Sequence, residues 1–202
     1  MDIGKFAIKN IMQKIIIATI KPWHLRQARL FRRKYKGLFS VDIISTQQAL
    51  TLNRIKRINP SYIFFPHWSW KIPEKIVSQY QCIIFHMTDV PFGQGGSPLQ
   101  NLIILGKKKT KVSAIRAVSE LDAGPVYLKE NLDLAGSAQE IFEDLSSIVF
   151  HKMIPKILKN SMTPIAQKGK VVSFKRRTPS QSNIKHLKSM TEVYDYIRML
   201  DA

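Results

Sequence analysis

Phe85-His86-Met87-Thr88-Asp89-Val90-Pro91-Phe92-Gly93-Gln94-Gly95-Gly96-Ser97-Pro98-Leu99-Gln100-Asn101 follows the apolar run Cys82-Ile83-Ile84. The run reads as a buried strand, and the segment after it as a glycine-rich loop opening a helix at Pro98. A histidine at the carboxyl end of a buried strand, ahead of such a loop, stands where open α/β sheets hold their ligands. A second signal, Glu120-Leu121-Asp122-Ala123-Gly124-Pro125, is an acidic turn between two further apolar runs. Together they point to an imidazole and a carboxylate meeting at one edge of a sheet.

Outward from that stretch, strands and helices alternate. Lys14 to Ile20 is a β-branched run suited to a strand buried on both faces. Leu25, Ala28, Phe31 and Tyr35 recur at helical spacing before a short strand, Val41 to Ile44. Ser45 or Thr46 is placed to cap a helix running to Asn59, which Pro60 stops. Tyr62 to Phe65 is a further strand, leading into the loop Pro66-His67-Trp68-Ser69-Trp70, and Pro73 opens a short helix to Tyr80. Val112 to Val118 and Val126 to Leu134 flank the acidic turn, and Ser137 with Glu140 forms a capping box for a helix reaching Leu158. Residues 163 to 174 suggest a small hairpin, and Met190 to Leu200 a terminal helix. The alternation predicts an α/β fold, a Rossmann-like, mainly parallel sheet with helices on both faces and a small C-terminal hairpin and helix. Residues 1–12 read as an extension, 13–160 as the main domain and 161–202 as the appendage.

At 202 residues, 45% apolar and 23% charged, the chain is long enough for one domain with a real core. Its single cysteine, Cys82, forms no intrachain disulfide, which fits a reducing compartment. No apolar run reaches the ~18 residues of a membrane span, and Lys14 interrupts the apolar stretch a signal peptide would need. The expected location is the cytoplasm. The net charge of +18 leaves two readings, a lysine-rich surface or an anionic partner. Basic residues concentrate at Arg26 to Lys36, Lys107 to Lys111 and Lys170 to Arg177. No aromatic-interleaved basic motif or zinc-finger spacing accompanies them, and charge alone does not choose, although nucleic acid is not the expected partner.

His86 alone, or the Asp122 turn alone, is equally at home in an inert fold. Jointly they define chemistry, because a carboxylate fixes an imidazole's tautomer and raises its basicity. No cluster of His, Cys and acidic residues has metal-ligand spacing, so no metal is expected. A serine-hydrolase elbow is absent.

Phe85 to Leu105 resembles the folate-dependent formyltransferase family. His86, Pro91, Gly95, Pro98 and Gln100 fall in register with that family's first signature, and the Asp122-Ala123-Gly124 turn matches its second. The tail, Lys175-Arg176-Arg177-Thr178-Pro179 and then Tyr194 to Arg198, is similar to the sugar N-formyltransferase branch, of the kind serving pseudaminic-acid pathways. A tRNA enzyme of the family would be expected to carry a longer C-terminal barrel, and relatives continue where Asp201-Ala202 ends, so the resemblance leads us to expect a truncated C-terminus here.

The resemblance implies formyl transfer from 10-formyltetrahydrofolate, as co-substrate, to the amino group of a nucleotide-linked amino sugar. The alternatives are a methionyl-tRNA-type enzyme and a catalytically dead binding protein on the same fold. A homodimer is compatible with any of these. His86 would accept the amine's proton, and Asp122 would hold the imidazole and face the folate. The Pro66–Trp70 loop and the Phe85–Gln94 segment would form the folate pocket, with Trp68, Trp70, Phe85, Met87, Val90 and Gln94 against the cofactor. Thr88, Asp89, Gly95, Gly96 and Ser97 would meet the acceptor, and Lys175, Arg176 and Arg177 its pyrophosphate. The family has Asn where this chain has Ile84, which removes a hydrogen-bond donor from the face His86 occupies. Met87 and Gln94 replace the usual Pro and Arg. His67, at the end of its strand, is the expected substitute donor, with Thr88, Gln94, Asn101 and the amides near Gly95 as competitors.

Overall fold

The computed structural model describes residues 12–200. The eight strands are β1 (Gln13–Thr19), β2 (Phe39–Ile44), β3 (Tyr62–His67), β4 (Cys82–His86), β5 (Phe92–Gly95), β6 (Lys109–Arg116), β7 (Val126–Asp133) and β8 (Val172–Phe174). The helices are α1 (Pro22–Lys34), α2 (Leu52–Ile58), α3 (Glu74–Val77), α4 (Pro98–Ile104), α5 (Ala138–Ile148), α6 (Ile154–Asn160) and α7 (Met190–Arg198). Six strands form one sheet in the order β2-β1-β3-β4-β6-β7. The first four pair in parallel, and β6 and β7 close the sheet antiparallel. The predicted α/β architecture with a mainly parallel sheet is the one observed.

β1 lies inside the sheet with both faces covered, so Ile15, Ile16, Ile17 and Ala18 are all buried. This is why the strand reads as an unbroken apolar run and not as an alternation. On one face, Ile15, Ile17, Phe64 and Phe85 pack with Ala28 and Phe31 of α1 and Ile141 and Leu145 of α5. On the other, Ile16, Ala18, Ile63 and Phe65 pack with Ile55 of α2 and Ile76 of α3.

Local boundaries depart from expectation where side-chain chemistry outranks periodicity. α2 starts at Leu52, because Thr51 is the cap and its hydroxyl accepts from the Arg54 amide. Residues 47–49 form a turn, and Leu50 is buried beyond it. α3 ends at Val77, three residues short of Tyr80. The Ser137–Glu140 capping box is formed. Its helix passes through a π-helical turn, Val149–Met153, before α6. Pro155 cannot donate to the His151 carbonyl and its ring presses on that group, which a wider turn accommodates.

The expected hairpin between residues 163 and 174 does not form. β8 instead pairs in parallel with β5 inside the glycine-rich loop, and Ile165 bridges Val126. The expected extension, residues 1–12, and the end at Asp201-Ala202 lie almost wholly outside the described residues.

Candidate active site

β3 and β4 run parallel, so His67 and His86 both emerge at the sheet's carboxyl edge. His86 is buried, and both ring nitrogens are engaged. Nε2 lies 2.7 Å from the Gly93 carbonyl, and Nδ1 lies 3.5 Å from Oδ2 of Asp122. A carbonyl only accepts, so Nε2 carries the hydrogen and Nδ1 is the nitrogen that faces the carboxylate. The two groups predicted to meet do meet.

Asp122 is held in an unusual backbone conformation, with φ of 55°. Oδ2 accepts from the Gly95 amide at 2.9 Å. The Asp122 carbonyl accepts from Gln167 Nε2 at 2.7 Å, which also donates to the Gly124 carbonyl at 2.8 Å. Gln167 Oε1 in turn accepts from Gln94 at 2.9 Å. One amide thus clamps the acidic turn to the loop. Gly124 is required beside it, since a Cβ there would stand 1.8 Å from the Arg116 carbonyl. Gln167 escaped sequence reasoning because a lone glutamine in a polar loop carries no spacing signal.

The loop itself is tied down by β8. Gly96 donates to the Phe174 carbonyl at 3.0 Å, and a Cβ at Gly95 would approach that oxygen to 2.4 Å. Asn101 Nδ2 reaches the carbonyls of Gly96, Ser97 and Lys175. Gly95 and Gly96 therefore serve chain crossing as well as any ligand.

The other predicted residues divide sharply. Phe85, Met87 and Val90 point into the core, leaving only their backbone to a ligand. Thr88 is fully buried and donates to the Gly93 carbonyl, so its side chain does not meet an acceptor. Asp89 is paired with Lys111 and Lys129, which hold its carboxyl below the usual range against the opposing effect of burial. Ser97 accepts from the Arg177 amide. The Arg177 guanidinium donates to the Gln181 carbonyl and lies over Tyr196. Lys175 and Arg176 remain exposed beside the loop.

His67 is the clear correction. The β1–β3 ladder shifts register between Phe64 and His67, so His67 pairs with Thr19 after an extra residue. That bulge turns its ring to the α1–α5 face, where it lies 5.9 Å from the His24 ring and 6.0 Å from Phe142. Ile84 packs on the opposite face, among the α2–α3 side chains, and His86 follows it in the strand alternation. His67 cannot substitute for a donor there. The competitors are occupied too: Thr88 by Gly93, Gln94 by Gln167, the Gly95 amide by Asp122, and Asn101 by three carbonyls.

Among the described residues no group of three or more His, Cys, Asp or Glu could hold a metal ion, and no helix is long and apolar enough to cross a membrane. The first basic concentration lies on α1, where Arg26, Arg29, Arg32 and Arg33 are all exposed.

A chain with this sheet, this histidine–aspartate pair and this loop has clear relatives. It is 47% identical to methionyl-tRNA formyltransferase from Clostridium thermocellum, with a TM-score of 0.92 over 94% of this chain and 84% of that one. It is 28% identical over 156 residues to methionyl-tRNA formyltransferase of Malacoplasma penetrans, covering 73% of this chain and 49% of that protein. A 4-N formyltransferase from Francisella tularensis shares the fold at a TM-score of 0.72 and 19% identity, over 93% of this chain and 88% of that one. The family description "Methionyl-tRNA formyltransferase, C-terminal domain" matches residues 179–202. The chain belongs to the formyltransferase family. It spans about half the length of the curated relatives it matches.

Proposed function

We propose that the chain transfers a formyl group from a 10-formyltetrahydrofolate to a primary amine, with the amino group of methionyl-tRNA as acceptor. The observation that carries the transfer is the buried His86–Asp122 contact of 3.5 Å at the sheet's carboxyl edge. The acceptor rests on the Clostridium thermocellum relative. This acceptor replaces the nucleotide-linked amino sugar expected from the tail, for which the Francisella tularensis neighbour supports only a shared fold.

The residues present fit such a donor. Trp68 and Trp70 meet edge to face, with centroids 5.1 Å apart, and Trp70 is 37% exposed, so a flat heterocycle finds an aromatic wall. Beside it is one unspent N–H donor, on Trp68. The folate supplies the formyl carbon, and its carrier nitrogen takes up a proton as the new amide bond forms.

An alkyl ammonium cannot attack until it loses a proton. The Nδ1 and Oδ2 atoms of His86 and Asp122 share one proton site, and with Nε2–H given to Gly93 this site is where the amine's proton goes. The Gly95 amide and the Gln167 clamp keep the carboxylate aimed at it. Incubating the chain with labelled 10-formyltetrahydrofolate and either methionyl-tRNA or a panel of nucleotide-linked amino sugars tests the assignment. Label on methionyl-tRNA is expected. Label on a sugar alone would replace the acceptor, and label on neither would return the chain to the binding-protein alternative.

A further inference from the structure

We propose that the indole Nε1–H of Trp68 is the hydrogen-bond donor to the oxygen of the formyl group during transfer, taking over the role that Ile84 cannot perform; the inference rests on the formyl-transfer reading and not on the choice of acceptor. As the amine attacks, the C=O bond opens and negative charge gathers on that oxygen while the new C–N bond forms. A donor already aimed at the oxygen lowers the barrier, and losing one costs rate.

Three observations converge on Trp68. First, Thr88, the Gly95 amide and Asn101 donate to protein acceptors, and Gln94 gives one of its two N–H groups to Gln167. Second, the Trp68 nitrogen is buried with no protein partner. Buried indole N–H groups ordinarily find an acceptor, so this orphan is a donor left for a ligand. Among the described residues, the remaining orphaned side-chain atoms belong to Thr19, Trp23, His24, Gln27 and Ser146, at the end of β1 and on α1 and α5.

Third, the fold places Trp68 on the correct face. The bulge that sends His67 toward α1 sends the next residue the other way, and Trp68 packs with the α2–α3 cluster that also contains Ile84. Phe65 and Ile84 are direct cross-strand partners. The Trp68 ring meets Phe65 edge to face at 5.8 Å. The indole therefore packs against the β3–β4 pair on the face that Ile84 occupies. The bulge and the missing asparagine become parts of one arrangement, with the donor on β3's exit instead of on β4.

Trp68→Phe keeps an aromatic ring against Phe65 and removes the N–H together with part of the indole, so the split between kcat and KM, not stability alone, reads the donor. Measured on the full chain, kcat is expected to fall about 10²-fold with KM for the acceptor little changed and the melting temperature retained. Adding Ile84→Asn to that variant should restore part of kcat, since it returns a side-chain donor to the same face. A second readout does not depend on turnover. With indole-15N tryptophan, the Trp68 Nε1–H resonance should shift on addition of 5-formyltetrahydrofolate, whereas Trp23 should not. Unchanged kcat in Trp68→Phe, or an unmoved Trp68 resonance on binding of that folate, would overturn the assignment. A wild-type chain that transfers formyl to no acceptor and binds no folate would remove the transfer reading and this donor with it.

Discussion

His24 and His67 meet as tilted rings, centroids 5.9 Å apart, between α1 and the end of β3, and burial moves both far from ordinary histidine behaviour. It takes His24 from 6.5 down to about 3, helped by His67, and His67 from 6.5 down to about 4, helped by Lys21. Both rings are neutral at pH 7. The unfolded chain binds protons near pH 6.5 that the folded chain refuses, so stability present above that pH is lost as pH falls toward 4. At pH 5 the loss is about 2 kcal/mol per ring. Urea midpoints at pH 7.5 and 5.0 should show a smaller drop for His24→Phe than for the wild type. Equal drops would mean that these rings do not carry the acid sensitivity.

His86→Ala should lower turnover by ~10²–10⁴, the scale of a lost general base. Because Nδ1 and Oδ2 face each other as one pair, Asp122→Asn should cost a comparable amount, and the double variant little more than either single change. Single-turnover rates for the three variants test this. Multiplicative losses would separate the two residues into independent roles.

His67→Ala, by contrast, should leave turnover per folded molecule unchanged, since the β3 bulge aims this ring away from His86. It should still cost about 1–3 kcal/mol of stability by opening space beside His24 and Phe142. A large fall in kcat with unaltered folding would restore His67 to the reaction.

Gln167→Leu removes the donor to two carbonyls and the acceptor for Gln94. The expected stability loss is about 1–3 kcal/mol. A fall in kcat should accompany it, because Asp122 at φ of 55° is no longer held toward His86. Gln167→Glu keeps an acceptor for Gln94 but loses both donors, and should resemble Gln167→Leu in rate. Full activity in both variants would show that Asp122 keeps its position unaided.

The sheet was legible in the sequence where patterning had one interpretation. Ile15 to Ile17 could only be a doubly buried strand, and Ser137 with Glu140 announced α5. The His86–Asp122 meeting was legible for the same reason: each ends or joins a strand whose direction the alternation of elements sets. Three features were hidden. One extra residue before His67 reverses a face, and no periodicity marks a single-residue bulge. The β5–β8 pairing joins a four-residue and a three-residue strand far apart in sequence, each too short to carry a pattern. Gln167 acts through its amide geometry, which composition does not record.

The β5–β8 pairing also sets a timetable. A nascent chain has made all six strands of the main sheet once β7 is complete, and that sheet can condense while synthesis continues. The loop between His86 and Pro98 must wait, because the carbonyl that anchors Gly96 belongs to Phe174 and arrives much later. Contacts between such distant residues are also the slow ones to form. The emerging protein thus passes through a stage in which its sheet is built but the His86 loop lacks a wall. That wall is added only when β8 has been made, well after the loop it holds.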